Sequence, residues 1–376
     1  MKIFHPVSYT HLAQEKNDQR RNDMKKRLLA AGMIAVLAMT GLSGCGGAKK
    51  EDKGVVKVYN WGEYIDEDVI AEFEAETGIK VVYDTFETNE EMYPIIEAGG
   101  VSYDVVCPSD YMIEKMIANN LLAEINFDHI PNMEYLSESI MEGSRTFDPE
   151  NKYSVPYTYG TLGILYNKKM ITDKITSWKD LWNEAYSGEI LMYNSPRDLF
   201  TAPLEILGYS LNTTDEAQLD EAKNMLLEQK PLVQRYVMDQ IKDAMISESA
   251  AIAMCYSGEV LLLQESNENL EYVIPEEGSN YFIDSWVIPA NAENKENAEA
   301  WINFLNDPEI AYKNFEYITY ATPNTGAQEL MDPEAAANQA VNPSAEVLSR
   351  CEVFKTLGEE GDALFNELWL QIKDAN

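Results

Sequence analysis

Six aromatic residues fall at expected strand ends and in loops: Trp61, Tyr64, Tyr111, Tyr256, Phe282 and Tyr320. Several stand within two residues of an acid. Glu63 lies between Trp61 and Tyr64, Asp110 precedes Tyr111, and Asp284 follows Phe282 by two. Rings beside carboxylates suit an organic cation. The rings cover its methylene groups and attract its charge through their faces. The carboxylates take charge-assisted hydrogen bonds from its ammonium groups. Ordinary packing is the other reading of any single ring.

Other chemistries lack their residues. From Cys45 onward the only histidine is His129, in the loop-like stretch Phe127-Asp128-His129-Ile130-Pro131, where a surface position is expected. A histidine-based triad or a zinc site needs further partners. No glycine-rich phosphate cradle precedes a helix, and no Gly-x-Ser-x-Gly elbow is present. Carboxylates are plentiful, so paired-acid glycoside hydrolysis stays open as an enzyme alternative, although nothing selects two acids for it. No metal or organic cofactor is expected.

The chain has 64 acidic and 29 basic residues, a net charge of −35. Such a surface repels nucleic acid and favours cationic partners. A solvated acidic surface is the plainer alternative. Cys107 and Cys255 lie in apolar, strand-like runs and read as small buried hydrophobes. With Cys351 they make an odd number at long spacing, which is no disulfide framework.

Met24-Lys25-Lys26-Arg27 is a compact basic start, followed by an apolar run over 28–37 and by Leu42-Ser43-Gly44-Cys45. That order describes a secretory signal peptide, and its last four residues resemble a bacterial lipobox, with Cys45 lipidated. The apolar run is short for a membrane span of roughly 20 residues. A charged region belongs at the beginning of a signal peptide, so translation is expected to start at Met24. Residues 1–44 are set aside as leader and signal, and 45–53 as a polar tether. The 332 residues from Cys45 suggest two domains.

The rest alternates between strands and helices. Residues 55–61 are β-rich. Residues 66–77 place Val69, Ile70, Phe73 and Thr77 on one helical face, stopped by Gly78. Residues 79–86 return as a strand, which predicts a parallel βαβ unit. Helix 90–98 contains Pro94, expected to kink it or delay its start. Strand 103–108 and helix 111–119 follow. The extended aromatic runs 153–167 and 281–289 read as crossovers between lobes. Between them come short helix 178–182, strand 189–194, helices 196–207 and 216–228, and strand 250–256. Helices 297–306, 310–317 and 362–373 close the chain. The reading is an α/β protein of two doubly wound lobes, with 54–160 and 282–326 in the first and 161–281 and 327–376 in the second. In open α/β sheets, ligands bind beyond the carboxyl ends of strands.

Several long motifs occur in one order: Val58-Tyr59-Asn60-Trp61-Gly62-Glu63-Tyr64, Glu76-Thr77-Gly78-Ile79-Lys80-Val81, Tyr103-Asp104-Val105-Val106-Cys107-Pro108-Ser109 and Tyr153-Ser154-Val155-Pro156-Tyr157. Thr176-Ser177-Trp178-Lys179-Asp180-Leu181-Trp182, Asp284-Ser285, Ile288-Pro289-Ala290-Asn291-Ala292 and Tyr320-Ala321-Thr322-Pro323-Asn324 follow. Together they resemble the bacterial spermidine/putrescine-binding proteins over almost the whole chain after Cys45. The resemblance implies a two-lobed periplasmic-binding-protein-like fold of type II, with a hinge that closes around the ligand. It implies a polyamine ligand, delivery to the membrane permease of an ABC importer, a lipid anchor on Cys45, a monomer and no catalysis. Another small cationic solute on the same fold is the alternative.

The resemblance assigns roles residue by residue. Trp61 and Tyr64 match rings that wall the polyamine, with Gly62 between them and Glu63 near one amine end. Ser109 and Tyr111 line the first lobe. Tyr256 and Phe282 stand where the family often has tryptophan, and Tyr320 matches a ring near the hinge. Asp284 matches the acid that fixes an amine. Asp198 stands where the family has glutamate. Ser195 stands where spermidine binders carry aspartate, and Leu370 falls about where a glutamine contacts the ligand; Asp239 is the candidate to replace the lost charge. Ser195-Pro196-Arg197-Asp198 also resembles a capping box, which gives Asp198 a second reading as a cap. Arg197 is expected to be neutralised by Asp198.

Overall fold

The computed structural model describes residues 53–375, Glu63 and Asp239 excepted. Strand β1 (Val55–Trp61) leads into helix α1 (Glu67–Thr77) and strand β2 (Lys80–Phe86), which runs parallel to β1. Asp66 caps α1 by accepting from Asp68 N at 2.9 Å. Gly78 ends it in the left-handed region, at φ 78°, where a side chain would be strained. Val69 and Phe73 are the buried pair of its apolar face.

Helix α2 (Asn89–Ala98) runs through Pro94 with neither a late start nor an early end. Proline costs such a helix one backbone bond. Here Thr88 caps one end, Gly99 closes the other, and Met92, Tyr93 and Ile96 are buried along its length. Strand β3 shrinks to Val105–Val106 and is followed by helix α3 (Asp110–Ala118). Strand β4 (Ser154–Asn167) is buried throughout its 14 residues. Strand β5 (Ile190–Tyr193), helices α4 (Pro196–Leu207) and α5 (Glu216–Gln229), and strands β6 (Val233–Val237), β7 (Ile252–Tyr256), β8 (Leu270–Val273) and β9 (Tyr281–Val287) follow. The principal closing helices are α6 (Lys295–Leu305), α7 (Pro308–Ile318) and α8 (Gly358–Asp374).

The expected separate sheets are fused. The order is β2-β1-β3-β9-β4-β7-β5-β6, with β8 also on β4. The first half of β4, from Ser154 to Thr161, pairs antiparallel with β9. Its second half, from Leu162, pairs antiparallel with β7 and β8. One unbroken strand therefore belongs to both lobes. The cores divide accordingly. Val56, Val58, Phe73, Trp286 and Trp301 pack on one face of the first lobe's sheet. Tyr59, Met112, Met116, Ile283 and Val287 pack on the other. A third core, from Leu162 to Ile372 in sequence, fills the second lobe.

Residues 178–182 form a 3-10 turn with a complete capping box of Ser177 and Asp180. Cys107 and Cys255 are buried, Cys351 is half-buried, and all three are free thiols. His129 lies at the surface as expected, but its Nδ1 is 2.6 Å from Oε2 of the buried Glu299. No described helix is long and apolar enough to cross a membrane. Cys45 and the signal segment lie outside the described residues.

Candidate functional site

The site is built beyond the ends of β1 and β3, where β4 and β9 run on toward the second lobe. Asp284 on β9 stands opposite Thr158 on β4, so both side chains share a face of the sheet. Tyr64, just past β1, reaches both. Its hydroxyl donates to Asp284 Oδ2 at 2.7 Å and lies 2.6 Å from Thr158 Oγ1. With the tyrosine proton committed to the acid, Thr158 is the donor of that second bond. Asn60 and the Tyr157 hydroxyl both donate to the Tyr64 carbonyl, which fixes the loop.

Asp284 is buried, and burial pushes its carboxyl up to about 6 even though Tyr64 and Ser109 pull it down. Its Oδ1 has no hydrogen-bond partner among the described residues. A buried carboxylate oxygen without a donor is costly, and it is the natural acceptor for an N–H brought by a ligand. Ser109 bridges to Asp284 through the backbone and opens α3. The next residue, Asp110, is also buried. It accepts from Tyr111 N at 2.7 Å and Ile283 N at 3.3 Å. Burial and the charge of Asp284 lift it to about 8 against these two N–H bonds and, more weakly, Arg197. Asn89 holds Tyr111 by donating to its hydroxyl at 3.0 Å. Neither Asp110 nor Asn89 was among the expected site residues. A polar residue opening a helix beside an expected strand end is the signal that could have found them.

Rings connect the lobes. Tyr64 meets Tyr320 edge-on at 5.2 Å, Tyr320 meets Phe282 at 6.3 Å, and Phe282 meets Tyr256 at 5.7 Å. Tyr256 stacks on Tyr193 at 4.8 Å. Trp61 tilts onto Phe86 at 4.5 Å, and its buried indole N–H has no partner among the described residues. Gly62 borders open space.

On the second lobe, Asp198 lies buried in the first turn of α4. Burial raises its pKa, while the Ser195 and Tyr256 side chains hydrogen-bond to it and pull it down. The expected capping box does not form. Ser195 occupies the N-cap position and Pro196 N1, but Ser195 makes no side-chain bond to the helix backbone; its hydroxyl serves Asp198 instead. Arg197 turns from Asp198 as well. Its guanidinium lies over the rings of Phe354 and Phe365 at 4.3 and 5.2 Å and donates to Asn212 Oδ1 at 3.0 Å. Asp362 acts on it more strongly than Asp198 does.

Leu370 is not at the site. It is 54% exposed on α8, whose buried face carries Leu368, Trp369 and Ile372. Glu63 and Asp239 lie outside the described residues. Among those described, no group of three or more histidine, cysteine, aspartate or glutamate residues could hold a metal ion. The arrangement is a chain of rings running from Tyr64 beside Asp284 to Tyr256 beside Asp198.

Residues 68–343 match the family described as bacterial extracellular solute-binding protein. The chain is similar to the spermidine/putrescine-binding periplasmic protein of Salmonella typhimurium, with 35% identity over 93% of this chain and 98% of that relative. It also resembles the solved spermidine/putrescine ABC transporter substrate-binding protein PotD of Streptococcus pneumoniae, with 39% identity, a TM-score of 0.81, and coverage of 85% of this chain and 98% of the other. A putative spermidine/putrescine ABC transporter structure from Listeria monocytogenes gives 42% identity and a TM-score of 0.75, covering 85% and 99%.

Proposed function

The chain belongs to the bacterial extracellular solute-binding protein family, and we propose that it is a polyamine-binding subunit of an ABC importer. The observation that carries this reading is Asp284, buried beneath aromatic rings with one carboxylate oxygen unspent. A linear diamine or triamine would place one ammonium on that oxygen and lay its methylenes along Tyr64, Tyr320, Phe282 and Tyr256. Asp198 would face another amine from the second lobe. The charge then ends between two acids while the chain lies on rings, which is how both halves of an organic cation are satisfied.

Hinge closure about β4 and β9 would trap the ligand between a lobe of 54–160 with 282–326 and a lobe of 161–281 with 327–376. The closed monomer then delivers the amine to the membrane permease. The binding step involves no catalysis. Lipid on Cys45 would hold the protein on the outer side of the cytoplasmic membrane. Replacing Cys45 with serine should move it from the membrane to the soluble fraction, and unchanged retention would refute the anchor.

Calorimetric titration with putrescine, spermidine, spermine and a panel of amino acids tests the ligand class. Saturable binding of the amines alone is expected. Binding of amino acids, or of none of these, contradicts the reading. Ser195 offers a hydroxyl but no charge, so the preference for spermidine over putrescine should be smaller than in family members that keep an aspartate there. Ser195→Asp should enlarge it, and an unchanged ratio would exclude Ser195 from setting the choice.

A further inference from the structure

Two of the rings in this cleft rest on bare backbone. A Cβ built on Gly258 would lie 2.3 Å from Tyr320 Cζ, and 2.4 and 2.5 Å from the next two ring carbons. A Cβ on Gly160 would lie 2.4 Å from Phe282 Cζ. Neither glycine has the positive φ that requires this residue type, so backbone conformation does not explain them. Gly258 sits in a 3-10 turn, Ser257–Glu259, directly after β7, where alanine suits the backbone better. Gly160 lies on the crossing strand β4, cross-strand from Phe282. The two seats are tied together, because Thr161 N donates to Ser257 Oγ at 3.0 Å.

Tyr320 reaches its seat through an unusual backbone. Thr319 ends α7 at φ 59°, and its hydroxyl donates to the Gly258 carbonyl at 2.8 Å. That bond pins the turn after β7 against the loop after α7, with the ring laid flat on the glycine between them. Two more rings hold Tyr320 in place. Tyr64 and Phe282 pack against it, and Tyr64 carries the hydrogen bond to Asp284.

We propose that Gly258, seconded by Gly160, is a positioning residue for amine recognition: by lacking a side chain it sets the depth of the Tyr320 ring and, through that ring, the aim of the Tyr64 hydroxyl at Asp284. The inference rests on the reading of the cleft as an amine site. A methyl at Gly258 drives the ring toward Tyr64, since the Thr319 bond blocks retreat of the loop. The cleft narrows and the Tyr64–Asp284 pair is displaced. Gly160 carries a structural role too, because an aromatic ring laid over a strand glycine shields it. Gly258 lies outside any strand and isolates the positional effect.

The test is a double-mutant cycle of putrescine binding on the full protein, with thermal unfolding measured in parallel. Gly258→Ala should weaken binding at least tenfold while the Tm stays within a few degrees of the unaltered protein. In a Tyr320→Ala background, which itself binds more weakly, Gly258→Ala should add less than a twofold loss. An equal loss in both backgrounds, or no loss in the first, overturns the seat. If Gly258→Ala does not fold, folding should return with Tyr320→Ala, and a double variant that stays unfolded overturns it equally. Failure of the unaltered protein to bind any amine would remove the amine reading, and the seat with it; binding by the unaltered protein together with an indifferent Gly258→Ala removes the seat alone.

Discussion

Each lobe presents a buried aspartate paired with a tyrosine, and the two pairs differ in what is left over. Asp198 sits in the first turn of α4, where the helix N-terminus favours a negative charge, and both Ser195 and Tyr256 donate to it. Asp284 sits on a strand, beside Ser109 at the N-cap of α3. Tyr64 satisfies one oxygen, the other has no partner among the described residues, and its pKa stands near 6. The comparison teaches that two carboxylates of similar burial can have different work. Asp198 meets an amine with the Ser195 and Tyr256 side chains already lowering its pKa, whereas Asp284 keeps a buried Oδ1 with no partner among the described residues for an ammonium to complete.

The largest consequence is for Asp284→Asn. A buried ammonium deprived of its carboxylate loses on the order of 3–5 kcal/mol, so polyamine affinity should fall at least about a hundredfold. A titration showing less than a threefold change in a folded protein would break the comparison at once. Asp198→Asn should cost about tenfold, the value of one charge-assisted contact. If it costs as much as Asp284→Asn, the lobes are equivalent and the distinction fails.

The next effect is on pH. Bound ammonium favours the ionised form of Asp284, so a proton must leave when amine binds below about pH 6. Affinity should therefore be flat near pH 7.5 and fall about tenfold by about pH 5. The slope should survive in Asp198→Asn and vanish in Asp284→Asn. A slope that survives in Asp284→Asn assigns the proton elsewhere.

The smallest effect is on stability without ligand. Asp110, near 8, and Asp284, near 6, hold protons in the folded protein at pH values where an unfolded aspartate has lost them. Between about pH 4 and pH 8 the folded state binds more protons, so stability falls as pH rises. Melting curves should show the Tm dropping by a few degrees from pH 5 to pH 8, less so in Asp110→Asn. An unchanged drop in that variant would show that Asp110 is not responsible.

Much of this was legible in the sequence where periodicity was long. Helix α4 occupies the expected residues 196–207, and α1 ends on the expected glycine, because apolar spacing and capping residues act locally. Strands β6 and β8 were missed because their pairing depends on distant partners. The run 153–167, expected to cross between lobes, is β4 and does so; the joining of both lobes' sheets through it depends on distant partners and is not legible locally. Of the rings and acids singled out by spacing, the structure brings together Tyr64, Asp284, Tyr320, Phe282 and Tyr256, while Trp61 packs on Phe86 and Tyr111 is held by Asn89. The same spacing set Asp110 beside Tyr111 without revealing that Asp110 is buried, since burial is not a local property. Leu370 was placed in the cleft against its own helix. With Leu368 and Ile372 on the buried face, residue 370 falls some 200° from the first of them, so it points outward.

A structure of the protein with spermidine or putrescine bound tests the central claim most directly. An ammonium nitrogen should lie within about 3 Å of Asp284 Oδ1, at charge-assisted hydrogen-bond distance, with Tyr64 still donating to Oδ2. A bound amine whose nitrogens all stay more than about 4 Å from Asp284, beyond ion-pair range, would contradict the account.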